Sequence, residues 1–111
     1  MLITDFRKDG IKYLELHGRV DSSEANFADD LLHLVVGEKK IIIDCTGLNF
    51  INSMGLRAFI STVKEVAHIN GEVLISNLAP AIVEIFRIAG FDKIFKIFDN
   101  ADDAKNHFLN N

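Results

Sequence analysis

The sequence predicts an α/β fold: a mostly parallel central sheet with an N-terminal antiparallel hairpin, about five strands and about four helices in all. Two apolar runs separated by Lys8-Asp9-Gly10 predict the hairpin. Beyond them, segments with helical spacing of apolar residues alternate with short apolar runs, and such alternation requires crossover connections. The run Ile41-Ile42-Ile43 is β-branched throughout, which is typical of a strand buried on both faces.

Each predicted element is separated from the next by polar residues, glycine or proline. The hairpin's second strand nearly alternates apolar and polar residues, which indicates one buried face. The third strand is expected to leave the sheet through Asp44-Cys45-Thr46-Gly47. The predicted strands cover residues 2–6, 11–17, 41–43, 72–76 and 93–98, and the predicted helices cover residues 24–36, 53–68, 80–89 and 99–108.

The helices carry recognisable start and end signals. Asp21-Ser22-Ser23 supplies N-cap candidates for the first helix, and Gly37 ends it. Pro80 suits the first turn of the third helix. Asp99 or Asn100 is the cap of the fourth. The second helix has an apolar face and an opposite polar face, which carries Arg57, Ser61, Lys64 and His68.

Length and charge exclude several classes of protein. The chain has 111 residues, 49% of them hydrophobic, which predicts a single domain over residues 1–111. Its net charge of −4 disfavours direct binding to nucleic acid. No apolar run is long enough for a membrane span, and charges interrupt the N-terminus before a signal peptide could form. One cysteine allows no intrachain disulfide, which suits the cytoplasm.

No pattern in the chain predicts catalysis, a metal or a cofactor. The four histidines are scattered, and none has metal-ligand spacing with Cys45. Cys45 itself follows a buried run, so a structural thiol is expected rather than a nucleophile. A phosphate-binding glycine loop and a GxSxG elbow are both absent from the sequence. The protein is therefore not expected to be an enzyme, and direct nucleotide binding has no motif to support it.

The segment Asn52-Ser53-Met54-Gly55 stands where the second helix begins, and it has two compatible interpretations. Asn52 or Ser53 can cap the helix by accepting a hydrogen bond from a free backbone N–H. Ser53 can also be a phosphoacceptor, because the N-terminus of a helix favours an anion. A phosphate there would add roughly −1.5 to −2 charges without requiring a new fold.

Three segments together resemble the STAS domain, and more narrowly the bacterial anti-sigma-factor antagonists. The first is Ile51-Asn52-Ser53-Met54-Gly55-Leu56-Arg57 after a buried strand. The second is Gly18-Arg19-Val20-Asp21, similar to the family's G-x-(L/V)-D turn. The third is Asn77-Leu78-Ala79-Pro80 with Val83, Phe86, Gly90 and Phe91, similar to its S-P-x-V-x-x-x-F region. The resemblance covers nearly the whole chain and implies the STAS fold.

In that family the antagonist binds an anti-sigma factor that is also a serine kinase. The kinase phosphorylates a serine of the antagonist, the complex separates, and a PP2C-like phosphatase resets the switch. The resemblance implies that Ser53 is the phosphoacceptor. It further implies a partner-binding surface at the start and along the outer face of the second helix, made of Asp21, Asn52, Met54, Gly55, Arg57, Ser61 and Lys64.

Two positions depart from the family pattern. Asn52 stands where many members have Asp, and Met54 stands where many have Ser, Thr or Ala. Phe50 and Met54, on either side of Ser53, are expected either as exposed docking anchors or as residues tucked under the helix. Phe95, Phe98 and Phe108 either belong to the core or leave a patch for self-association.

A second function from another class stays open. A STAS module can serve as a protein-interaction domain in a system without a sigma factor, such as a cyclase, a chemotaxis-like pathway or a lipid-transport assembly. In that case the same helix would bind a different partner.

Overall fold

The computed structural model describes residues 1–110 and contains the expected alternation of strands and helices. The strands are β1 Leu2–Lys8, β2 Ile11–Val20, β3 Lys40–Ile51, β4 Glu72–Ser76 and β5 Lys96–Phe98. The helices are α1 Phe27–Val35, α2 Ser53–Ala67, α3 Pro80–Ile88 and α4 Ala101–Leu109, with a short 3₁₀ turn at Phe91–Lys93.

The strands form one five-stranded sheet in the order β1-β2-β3-β4-β5. β1 and β2 are antiparallel, and every other neighbouring pair is parallel. This arrangement confirms the predicted fold class. The central strand β3 is buried on both faces, as its isoleucine run predicts: Ile41 and Ile43 belong to one core cluster and Ile42 to the other.

The two faces of the sheet are covered unequally. The larger core holds buried residues of α1, α2 and α3. A connected series of phenylalanine rings runs through it: Phe27, Phe59, Phe86, Phe95 and the partly buried Phe91. On the opposite face, Ala104 and Phe108 of α4 cover Tyr13, Ile42 and Leu74. Phe95 and Phe108 are buried and Phe98 packs against the smaller cluster, so these rings belong to the core rather than to a patch for self-association.

Several boundaries differ from the sequence prediction, including the ends of β1 at Lys8 and β2 at Val20, and three of the differences have a cause in the contacts. α1 begins at Phe27, because the Asp21 carboxylate accepts hydrogen bonds from the backbone and hydroxyl of Ser23 and holds a turn instead of capping a helix. β3 continues to Ile51, because its pairing with β2 resumes beyond two irregularities. The last strand is limited to Lys96–Phe98, because the preceding residues coil to bring Phe91 and Phe95 against Phe86.

Cys45 lies fully inside the larger core. Burial, reinforced by the neighbouring Asp44 carboxylate, raises the pKa of its thiol far above the ordinary range. A thiol in this state is a poor nucleophile, which agrees with a structural role. Among residues 1–110, no group of three or more His, Cys, Asp or Glu side chains is arranged to hold a metal.

Candidate functional site

The start of α2 is capped by Asn52. The Asn52 backbone is extended, and its side-chain oxygen accepts a hydrogen bond of 2.9 Å from the Gly55 N–H. The Asn52 carbonyl also accepts from Leu56 at 3.1 Å. Of the two candidate caps, the structure therefore selects Asn52, and Ser53 becomes the first residue of the helix.

Because Asn52 caps the helix, the Ser53 side chain is not needed as a cap. Ser53 is exposed, and its hydroxyl makes no hydrogen bond with any residue in the range 1–110. The first turn of α2 contains no acidic residue. The positive end of the helix dipole, with its backbone N–H groups, therefore faces solvent beside a free hydroxyl.

Gly55 has a packing role. A Cβ atom at this position would lie 2.7 Å from side-chain atoms of both Ile51 and Val20, closer than real Cβ contacts allow. Glycine thus lets the first turn of α2 approach the ends of β2 and β3. Gly55 is itself buried, so it lies beneath the surface of the predicted partner-binding site.

The outer face of α2 is open along its length. Arg57, Ser61 and Lys64 are exposed, as the helical spacing predicts, and residues such as Leu56, Phe59 and Val66 face the core. Met54 at 36% and Phe50 at 37% exposure lie on the surface on either side of Ser53. Of the two expected placements for this pair, tucked or exposed, the structure shows the partly exposed one.

Asp21 lies at the same end of the sheet as Ser53. The backbone N–H of Asn52 donates to the carbonyl of Val20 at 2.9 Å, which ties the end of β2 to the start of α2. Hydrogen bonds from the side chain and the backbone of Ser23 lower the pKa of the Asp21 carboxyl. Asp21 therefore carries a permanent negative charge at neutral pH beside the helix start.

The sequence analysis did not single out Arg19 as a site residue, but the structure places it at this surface. Its guanidinium carbon lies 4.5 Å from the centre of the Phe50 ring, a cation–π arrangement. Its Nε lies 3.7 Å from a carboxylate oxygen of Asp21. The register in which Arg19 stands opposite Phe50 follows an irregularity in the β2–β3 pairing. The alternation of apolar and polar residues within β2 or β3 therefore cannot predict the contact between Arg19 and Phe50.

Comparison with known proteins identifies the family. The STAS domain model matches residues 5–104, and the chain belongs to the STAS domain family. A relative from Bordetella bronchiseptica, which carries the name anti-sigma factor antagonist BtrV, is 31% identical over 106 residues, covering 94% of this chain and 91% of the relative.

Two solved structures support the fold. An anti-sigma factor antagonist from Mycobacterium paratuberculosis superposes with a TM-score of 0.83 at 22% identity, over 96% of this chain and 92% of that one. The Bacillus cell fate determinant SpoIIAA in its phosphorylated form superposes with a TM-score of 0.70 at 15% identity, over 96% and 99%. Within residues 1–110, no helix is both long and apolar enough to cross a membrane.

Proposed function

We propose that this protein is an anti-sigma-factor antagonist in a phosphorylation-controlled partner switch. Unphosphorylated at Ser53, it binds a serine-kinase anti-sigma factor; phosphorylated by that kinase, it is released, and a PP2C-like phosphatase resets it. The name of the Bordetella relative supports the role, and SpoIIAA shows that a protein of this fold has been solved in a phosphorylated form. Such a switch would operate in the cytoplasm.

One observation carries the proposal: Ser53 is exposed and free of hydrogen bonds because Asn52 caps the helix in its place. A kinase can therefore reach the hydroxyl without breaking a contact that holds the fold. Transfer of the γ-phosphoryl group of ATP forms a bond to the Ser53 oxygen, breaks the bond to ADP, and releases the hydroxyl proton. The product has about −1.5 to −2 added charges at the positive end of the α2 dipole, where the helix tolerates them.

The phosphate would change the affinity for the partner rather than the fold of the antagonist. Met54 and Arg57, which follow Ser53 at the start of α2, are on the surface, as is part of the Phe50 ring, so a partner docked over the helix start would bury the serine. A buried phosphate without a matching cation carries a large desolvation penalty. Phosphorylation is therefore expected to separate the complex while leaving the antagonist folded.

The test uses purified serine-kinase anti-sigma factors from the host. Ser53→Ala should bind as wild type does and resist ATP-dependent release, whereas Ser53→Asp should weaken binding by about tenfold or more. Ser22→Ala is the matched control, because Ser22 is also exposed, is not among the residues of the predicted partner-binding surface, and its loss should leave phosphorylation intact. Calorimetry gives the affinities, and peptide mass mapping locates the phosphate.

Equal affinities for Ser53→Ala and Ser53→Asp, or a phosphate located elsewhere, would contradict this switch. Failure of every anti-sigma factor to bind would favour the other class of function, a STAS module that serves a cyclase, chemotaxis-like or transport assembly.

A further inference from the structure

Arg19 differs from Arg7 and Arg87 in how its guanidinium is engaged. Arg7 donates through both terminal nitrogens to Glu38, and Arg87 donates through two nitrogens to Glu84. The terminal nitrogens of Arg19 make no hydrogen bond with residues 1–110. Its one ionic contact is the Nε–Asp21 approach of 3.7 Å, which is longer than a hydrogen bond.

The position of Arg19 is nevertheless defined. Its guanidinium lies over the Phe50 ring at 4.5 Å, and its side chain is 58% exposed. The cation–π attraction holds the guanidinium over the ring face, while its terminal N–H groups remain free to donate. A guanidinium held in this way matches a carboxylate, which accepts two parallel hydrogen bonds in the same plane.

We propose that Arg19 binds a carboxylate side chain, Asp or Glu, of the partner that docks on this surface. The inference rests on the proposed function and adds the chemistry of the partner residue. Charge complementarity selects an acidic group, because the guanidinium has no saturating internal partner. The exposed parts of Phe50 and Met54 would exclude water around the new ion pair and so strengthen it.

The position of Arg19 also gives a reason why phosphorylation of Ser53 would release the partner. The Asn52–Val20 hydrogen bond holds the residue after Arg19 beside the residue before Ser53. A partner that covers both Arg19 and Ser53 would bring its carboxylate and the phosphate into one interface. Adding a phosphate would set two like charges against each other in an interface with little water, where repulsion is stronger than in bulk solvent.

The test measures binding of Arg19 variants to the purified serine-kinase anti-sigma factor at low and physiological salt. Arg19→Ala should weaken binding by about tenfold and Arg19→Glu by about a hundredfold. Arg19→Lys, which keeps the charge and loses the planar fork, should fall between wild type and Arg19→Ala. Arg87→Glu on α3 is the distant control and should change the affinity by less than about twofold. Circular dichroism and urea unfolding check that each variant is folded.

A charge exchange identifies the partner group. Asp and Glu residues of the anti-sigma factor are changed to Arg one at a time, and one such variant should bind Arg19→Glu better than it binds wild type. Absence of any such rescue would overturn the carboxylate assignment. If Ser53→Asp weakens binding while Arg19→Ala and Arg19→Glu do not, this inference fails and the proposed function stands. If Ser53→Asp also has no effect, the proposed function fails.

Discussion

Two helices of this protein begin in the same way but differ in charge. Asn52 before α2 and Asn100 before α4 are both extended, and each side chain accepts from the N–H three residues later, at 2.9 and 2.8 Å. The first turn of α4 contains Asp102 and Asp103, whereas the first turn of α2 has no acidic residue.

In the proposed switch, this difference separates a permanent charge at α4 from a variable charge at α2. At α4 the two aspartates of the first turn complement the helix dipole, so this terminus already has negative side chains beside it. At α2 the same terminus presents Ser53, a neutral side chain and the proposed phosphoacceptor. The two helices thus share the same capping hydrogen bond. They differ in the source of negative charge, which is aspartate at α4 and, in the proposed switch, phosphate at α2.

The largest expected effect concerns packing at the third helical residue, where α2 has Gly55 and α4 has Asp103. Gly55→Ala places a Cβ 2.7 Å from side-chain atoms of Ile51 and Val20, and it should lower the free energy of unfolding by about 1–3 kcal/mol. Asp103→Ala, at an exposed position, should cost less than about 1 kcal/mol. Urea unfolding measures both. A Gly55→Ala variant as stable as wild type would show that the helix start is loosely packed.

An intermediate effect is expected at the two caps. Asn52→Ala and Asn100→Ala each leave a backbone N–H without its partner and should each cost about 1 kcal/mol. Equal losses in the free energy of unfolding would show that the two caps stabilise their helices to the same extent. A loss at Asn52 several times larger would mean that this residue braces the loop beyond its capping bond.

The smallest effect concerns charge. Ser53→Asp supplies α2 with the negative charge that α4 already has, and it should raise the free energy of unfolding by about 0.3–1 kcal/mol. Asp102→Asn should lower it by a similar amount, and both changes should diminish in high salt. Urea unfolding at two salt concentrations is the measurement. A destabilised Ser53→Asp would contradict an anion-tolerant helix start, and it would also remove the variant's value as a folded mimic in the binding test.

The sequence was sufficient for the fold and for the helix start because both depend on local patterns. The run Ile41–Ile43 marks the central strand, and Asn52 with Ser53 marks the beginning of α2. These features are set by residues close together in the chain, so spacing and residue type reveal them.

What the sequence did not reveal depends on contacts between distant segments. Arg19 meets Phe50 because of irregular pairing between β2 and β3, which no single-strand pattern encodes. Asp21 was predicted as a cap candidate for α1, yet it holds a turn through Ser23. Asx turns and N-caps use the same residue types, so composition alone cannot separate them.

The burial of Cys45 has a practical consequence. The chain contains one cysteine, and that thiol lies in the core with its reactive form suppressed. A cysteine introduced at an exposed position of α2, such as Lys64, would therefore be the thiol that a maleimide dye reaches in the folded protein. Fluorescence from such a dye could follow docking and release over time in a protein that keeps its native Cys45.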